Sequence, residues 1–276
     1  MDTREKVCNL EINVSLGCNL KCEYCSHLGR FMKGVIPWEE IKHWFQSWNQ
    51  KILPDCVRIM GGEPLLHPDL EMILRETKEY WPDSSMELIT NGLLLHKSSP
   101  ELLSFIRDIP YKVKVSKHFD DPEYNRLFNR GIAVLRRYAI EPEVEQSHLH
   151  WRKCYQIEAD GNTKPFQSDP EKAWENCFIK NICPTLFDNK LYRCPLLGSF
   201  AYARQKGFVS EAWDVALEYQ PLSHHCSRED IRAFMNQGAC VQCSICPEKY
   251  EHATLYEKMN PFGLPILETA FSEKSS

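Results

Sequence analysis

Cys18, Cys22 and Cys25 stand in the run C-N-L-K-C-E-Y-C, directly after an alternating apolar stretch from Leu10 to Leu16. Three thiolates on one tight loop can hold three irons of a cubane cluster and leave the fourth iron without a protein ligand. Clusters that only carry electrons normally have four cysteine ligands, so a three-thiol loop points to chemistry at the open iron. Zinc is the competing occupant: Cys22 and Cys25 with a distant C-x2-C pair could close a tetrahedral site.

Two runs downstream bear on that choice. Cys56 to Pro64 reads C-V-R-I-M-G-G-E-P, a short β-rich run that stops at two glycines and an acid. Glycines at a strand end let backbone approach a ligand closely. Met86 to Gly92 reads M-E-L-I-T-N-G, a second strand-like run with a polar end. In this order the three motifs resemble the C-x3-C-x2-C, Gly-Gly-Glu and third-strand signatures of the radical S-adenosylmethionine (SAM) superfamily. The resemblance implies a [4Fe–4S] cluster on Cys18, Cys22 and Cys25 whose open iron chelates SAM. It further implies that one-electron reduction cleaves SAM to a 5′-deoxyadenosyl radical. By the same resemblance Gly61, Gly62 and Glu63 receive the SAM ammonium group. Asn91 and Ser116 lie beside SAM at strand ends, and Tyr24 precedes the third cysteine with its backbone toward the adenine.

The elements that must position these residues follow from periodicity. Strand-like runs fall near 8–15, 56–60, 85–90, 111–116 and 142–147. Amphipathic stretches lie between them: Trp38 to Trp48, Asp69 to Tyr80, Glu101 to Ile109 and Glu123 to Tyr138. Proline at a helix start and acids in its first turn mark the N-termini. Alternating β and α units of this size predict a parallel sheet with right-handed crossovers. The expected fold is a partial (β/α)6 barrel over residues 8–155, with the motifs at the C-terminal strand ends where barrels bind ligands. Tyr155 to Gln167, with its D-G-N turn, is expected to give a sixth strand or a hairpin. A cysteine-rich unit over 156–250 and a loosely held tail over 251–276 complete the expected organisation.

Composition bounds the rest. The 276 residues are 43% hydrophobic with a net charge of −5, and no run near 18 apolar residues suggests a membrane span. No Lys/Arg cluster stands out, which argues against nucleic acid as a partner. Thirteen cysteines without a secretory signal at Met1 to Lys6 point to metal in a reducing compartment, and the expected location is cytoplasmic.

The second cysteine set is Cys177, Cys183, Cys194, Cys226, Cys240, Cys243 and Cys246. Asp188-Asn189 predicts a two-residue hairpin that would make Cys183 and Cys194 cross-strand neighbours. A closed four-thiolate site can hold zinc or a cluster, since ligand type alone does not separate them. Cys226, beside His224 and His225, reads as part of a polar loop; Cys8, Cys56 and Cys154 read as core thiols. This half resembles the SPASM and shorter twitch extensions of the same superfamily, which hold auxiliary [4Fe–4S] clusters. Cys177 and Cys194 fit the opening C-x9–15-G-x4-C with Asn189 in place of Gly. C-V-Q-C-S-I-C lacks the second SPASM run, so one auxiliary cluster is expected, on Cys177, Cys194, Cys240 and Cys243. Cys183 and Cys246 are the rival ligands.

The functional expectation is a radical SAM oxidoreductase acting on a small polar substrate such as a sugar or cyclitol alcohol. Its layout resembles the one-cluster twitch enzymes of the 2-deoxy-scyllo-inosamine dehydrogenase type. In these the auxiliary cluster accepts the substrate electron, and a reduced flavodoxin or ferredoxin-type donor serves the first cluster. His118 and Arg152 are the candidate catalytic residues, with His148 and His150 near them. An epimerase with a cysteine hydrogen donor is the second reading. Ribosomal peptide maturation is the third, ranked lower because residues 1–7 leave no room for a recognition domain before the barrel.

Overall fold

The computed structural model describes residues 3–253 apart from 110, 160 and 181. Strand and helix alternate through the first half: β1 (Glu5–Ser15), α1 (Trp38–Trp48), β2 (Ile52–Gly61), α2 (Leu70–Tyr80), β3 (Ser85–Thr90), α3 (Pro100–Asp108), β4 (Tyr111–Ser116), α4 (Pro122–Arg137) and β5 (Glu143–Glu145). Helix starts follow local chemistry. Ser99 caps α3 by accepting from the Leu102 amide, and Asp121 caps α4 by accepting from Glu123 and Tyr124, each with proline at the next position. The buried stripe of α1, Ile41, Trp44, Phe45 and Trp48, has the i, i+3, i+4, i+7 spacing of a core-facing helix.

The second half is built of shorter pieces: β6 (Gln156–Ile157), β7 (Thr163–Lys164), α5 (Pro170–Glu175), β8 (Thr185–Phe187), β9 (Lys190–Tyr192), α6 (Pro195–Gln205), α7 (Asp214–Leu217), β10 (Leu222–Ser223) and α8 (Arg228–Met235). Eight strands form one sheet in the order β10-β9-β8-β1-β2-β3-β4-β5. β1 to β5 and β8 run parallel, which gives the six-stranded open barrel. The sixth parallel strand is β8, paired to β1 through Glu11 and Thr185. Residues 155–167 instead make the separate β6–β7 hairpin, the second of the two forms expected for them. Asp188 and Asn189 both take left-handed φ and turn β8 into β9, as a two-residue hairpin requires.

The two faces of the sheet have different jobs. Leu10, Ile12 and Val14 are fully buried on the helix side of β1, while Glu11, Asn13 and Ser15 point to the opposite side. On that inner side Arg58 Nε donates to Glu87 at 2.8 Å, and Lys114 Nζ reaches Glu87 at 3.0 Å and Glu143 at 3.7 Å. These charges form a floor. Two residues further along each strand, on the same face, come Met60, Ile89 and Ser116, which line a cavity.

Among the described residues no helix is long and apolar enough to cross a membrane. Most of the expected tail, 254–276, lies outside the described residues. The first part of it is tied down, since Ala253 N donates to Trp151 O at 2.9 Å.

Candidate functional site

The cysteine loop leaves the end of β1 and is pinned where it starts. Leu16 N and Gly17 N both donate to Gly34 O at 3.0 Å, and Ser15 Oγ donates to Gly17 O at 2.9 Å. The end of β2 packs directly on this segment: Gly62 N donates to Ser15 O at 2.7 Å and Glu63 N to Gly17 O at 2.9 Å. A Cβ on Gly61 would fall on the Ser15 carbonyl, and one on Gly62 on the Gly17 carbonyl. Gly61 also sits at φ +144°, so both positions require glycine. Both residues line the cavity as well.

Glu63 is fully buried and points into the wall rather than the cavity. Its Oε1 accepts from Thr90 Oγ1 at 2.7 Å and Leu65 N at 3.1 Å, and its Oε2 from Asn91 N at 2.9 Å. Burial pushes its carboxyl up to about 7. The acid thus joins the ends of β2 and β3. Asn91 carries the chain onward, donating from Nδ2 to Asn19 Oδ1 at 2.7 Å and toward Cys18 Sγ at 3.7 Å.

Cys18, Cys22 and Cys25 all face one cavity of about 780 Å³ at the C-terminal strand ends. Tyr24 and Leu28 adopt left-handed φ on either side of Cys25, which lets the loop curl tightly. The amides of His27, Leu28 and Gly29 are directed at the Cys25 sulfur, and Leu20 N donates to Cys18 Sγ at 3.4 Å. Without a bound cation, burial pushes all three thiols up, and mutual repulsion adds to this at Cys18 and Cys22. A metal at their centre would reverse that preference and take them as thiolates.

The rest of the cavity wall comes from Thr90, Asn91, Ser116, Ser147 and Trp151, with His27, Arg30 and His118. Buried nitrogens on the last three have no hydrogen-bond partner: His27 Nε2, Arg30 Nη1 and His118 Nδ1. Burial holds His27 and His118 down to about 4, so both rings are neutral at pH 7. His118 stands edge-on to Trp151 with ring centroids 5.0 Å apart. Three thiols and three unsatisfied polar groups around one space fit a cluster with an open position and a polar ligand beside it.

Other expected residues lie elsewhere. Tyr24 is outside the cavity lining, its ring 5.5 Å from Tyr155. Arg152 does not face this cavity, because Trp151 takes the wall and the chain then turns outward. Its guanidinium lies over the rings of Phe178 and Tyr250, at 4.0 and 4.5 Å. His148 Nδ1 is 3.1 Å from Lys117 O, and His150 is exposed. His27, Arg30 and Trp151 were missed by sequence reasoning. The available signal for the first two was their position in S-H-L-G-R, directly after the third cysteine.

A second thiol group lies in the C-terminal half. Cys177, Cys194, Cys240, Cys243 and Cys246 line a cavity of about 490 Å³ with Trp174, Arg193 and Ile245 among its other walls. Cys194 is the N-cap of α6, and the amides of Leu196 and Leu197 point at its sulfur. Residues Val241–Ile245 form a 3-10 turn. Its three-residue period puts Cys240, Cys243 and Cys246 on one side. The Cys240 and Cys243 sulfurs are 3.7 Å apart. The contact with Cys243 and the nearby Arg193 hold the Cys240 thiol below its usual range. Arg193 Nη1 also donates to Gly238 O at 3.0 Å, which holds the approach to Cys240.

Cys154 joins this group from an unexpected direction, lining an adjoining cavity of about 530 Å³ with Cys177, Cys194 and Cys246. Cys183 does not join it. Arg58 Nη1 donates to its sulfur at 3.4 Å and Glu11 lies beside it, so the thiol belongs to the charged floor. The hairpin register does continue from Thr185↔Tyr192 toward 183 and 194. Pro195, however, starts α6 and turns Cys194 out of the sheet. Among the described residues no three His, Cys, Asp or Glu side chains are gathered tightly enough to hold a single metal ion. Five thiols spread around an apolar space fit a larger, closed cluster.

Comparison with known proteins adds independent findings. Residues 12–140 match the Radical SAM superfamily, a stretch that contains all three motifs. The GTP 3′,8-cyclase of Aquifex aeolicus (strain VF5) is 32% identical over 130 residues, 45% of this chain and 39% of that protein. A probable GTP 3′,8-cyclase of Methanococcus aeolicus is 32% identical over 145 residues, 50% of this chain and 46% of that protein. The chain thus spans under half the length of these relatives. The crystal structure of BtrN in complex with AdoMet and 2-DOIA aligns over 91% of this chain and 98% of that chain. Its TM-score is 0.50 and its identity 15%, a likeness of fold that extends beyond the barrel into the C-terminal half.

Proposed function

We propose that this protein, whose residues 12–140 match the Radical SAM superfamily, takes a hydrogen atom from a small polar alcohol and oxidises it. Cys18, Cys22 and Cys25 would hold a [4Fe–4S] cluster, with SAM beside it against Gly61, Gly62, Asn91 and Ser116. When bound, the cluster and SAM supply reductive cleavage of SAM and a carbon radical able to attack an unactivated C–H bond. The chain's own part is to place the substrate and move its proton. His118, neutral and with Nδ1 free toward the cavity, is suited to accept the hydroxyl proton of the carbon being oxidised. Arg30, the one cation among the described residues of the cavity wall, offers a free Nη1 for a polar or anionic group. Trp151 forms the part of the wall against which the His118 ring rests. That group, on Cys177, Cys194, Cys240 and Cys243 with Cys246 as rival, would hold the auxiliary [4Fe–4S] cluster that receives the substrate electron.

The observation that carries the reading is the single cavity that gathers three thiols, the Gly61-Gly62 and Thr90-Asn91 strand ends and an unprotonated histidine with an unpartnered nitrogen. The epimerase reading loses Cys183 as hydrogen donor. Cys183 is level with Asn9 while the cavity opens at Ser15, and six residues of strand put it about 20 Å below. A second reading, cyclisation of a nucleotide, is favoured by the relatives named GTP 3′,8-cyclase. Against it, a triphosphate calls for several cations, and among the described residues this cavity wall offers Arg30 alone.

The test is the product formed by the reconstituted, reduced enzyme with SAM and either an amino-cyclitol or GTP. Oxidised cyclitol with one 5′-deoxyadenosine each turnover is the expected result. An inverted cyclitol without oxidation would restore the epimerase, and a cyclised nucleotide would replace both.

A further inference from the structure

Arg193 is only 4% exposed, and among the described residues no carboxylate pairs with its guanidinium. A buried charge without a counter-charge is strongly destabilising, so one kept in place asks for an anion that arrives later. Its contacts say where that anion belongs. Nη1 donates to the carbonyls of Gln237 and Gly238, and the guanidinium carbon lies 5.2 Å from the Trp174 ring and 6.0 Å from the Phe234 ring. Nε has no hydrogen-bond partner. Arg193 directly precedes Cys194, Gly238 comes two residues before Cys240, and Trp174 three before Cys177. One cation thus belongs to or touches all three segments that carry thiols into the second cavity, and it lines that cavity with them. Lys180, the other cation among the described residues of this wall, has its Nζ tied to the carbonyls of Trp174 and Glu175.

We propose that Arg193 is the built-in counter-ion of the second thiol site, offsetting the negative charge of its thiolates and making a bound cluster readier to accept an electron. The inference rests on the reading that Cys177, Cys194, Cys240 and Cys243, with Cys246 as rival, hold an auxiliary cluster. Each electron taken up makes a thiolate-bound cluster more negative, and a fixed cation in a low-dielectric wall stabilises that state. Arginine suits the task because it stays charged at every working pH. Arg193 is therefore a positioning residue; it touches no substrate. Its charge is the part that needs a reason, since a neutral amide could donate to the two carbonyls without burying a cation.

The experiment is a redox titration of the anaerobically reconstituted holoenzyme followed by electron paramagnetic resonance. The second cluster is the one whose signal does not respond to added SAM. Arg193→Met keeps a long side chain between the two rings and removes the charge; Arg193→Lys keeps the charge and loses the planar fork. In Arg193→Met the ratio of reduced to oxidised second cluster, read at the wild-type midpoint, should fall roughly tenfold, about 59 mV for one electron. Arg193→Lys should stay near the wild-type ratio, and the first cluster should not move in either variant. Loss of about four irons in Arg193→Met but not in Arg193→Lys is the same result in stronger form, the site failing to hold its anion. An unmoved second midpoint in Arg193→Met with full iron overturns the proposal, as does an equal shift of the first cluster. So does an equal change in Arg193→Lys, in midpoint or in iron, because the fork and not the charge would then matter. A wild-type protein with only one cubane's worth of iron would instead defeat the reading of the second site, and this inference with it.

Discussion

The two thiol groups differ in what surrounds them more than in the thiols. Around Cys18, Cys22 and Cys25 the wall holds His27, Arg30 and His118 with free nitrogens, and strand ends locked by Glu63 and Asn91. Around Cys177, Cys194, Cys240, Cys243 and Cys246 the wall is Ala173, Trp174, Ile179, Leu197 and Ile245, with Arg193 and Lys180 as its cations. The first surrounds are prepared before any ligand arrives and leave polar groups waiting for one. The second offers little but sulfur, hydrocarbon and compensating charge, an environment suited to storing an electron. Its thiols also come from separate short segments, so their alignment depends more on what they bind. Chemistry is legible in the neighbours of a metal site as much as in its ligands.

The largest test of that contrast replaces Cys18, Cys22 and Cys25 together by Ala. Formation of 5′-deoxyadenosine should vanish while about four irons, one cubane's worth, remain per chain. Persisting SAM cleavage would sink the assignment of the first group.

A smaller effect separates the members of the second group. Cys194→Ala should lose about four irons and keep a SAM-responsive first cluster, whereas Cys183→Ala should keep all its iron. Iron and sulfide analysis of the two variants, reconstituted side by side, decides it. Loss of iron from the Cys183 variant would place that thiol in the site despite its contact with Arg58.

The smallest effect concerns the charged floor beneath the first cavity. Burial raises Glu11 to about 7 in the folded protein, above its ordinary 4.5. A carboxyl raised on folding supports stability below pH 4.5 and withdraws that support as pH climbs through 7. Against Glu11→Gln, the wild-type protein should therefore lose roughly 3 kcal/mol or less of relative stability between pH 4.5 and 8. Urea melts across that range would show the gap; parallel pH profiles would mean that Glu11 is charged throughout.

The sequence made most of the barrel readable because its helices and longer strands bury periodic faces. Trp38–Trp48, Ser85–Thr90 and Tyr111–Ser116 coincide with their predicted runs. It could not show β8 as the sixth barrel strand, since three residues carry no period and the pairing with β1 is set across more than 170 positions. The thiol loop was legible from its spacing together with the G-G-E and T-N-G runs that follow it. Arg30 and His27 were marked only by their place directly after the third cysteine, since loop sequence does not otherwise distinguish a side chain turned inward from one in water. Cys154 was hidden for a related reason: its neighbours Cys177, Cys194 and Cys246 are brought to it only by the C-terminal segments.

The pairing of β8 with β1 has a consequence for how the chain can be cut. β1 is the longest strand of the barrel, and β2 covers only one of its two hydrogen-bonding edges. The other edge is closed by Thr185 and Leu186, with further bonds from Asn9 N to Ile182 O and Glu11 N to Pro184 O. A fragment ending before residue 182 would expose that edge as a ready template for pairing with other chains. The C-terminal half therefore acts as a selvedge for the barrel, and a soluble, monomeric catalytic core should require the β8–β9 hairpin even if no electron ever reaches the second thiol group.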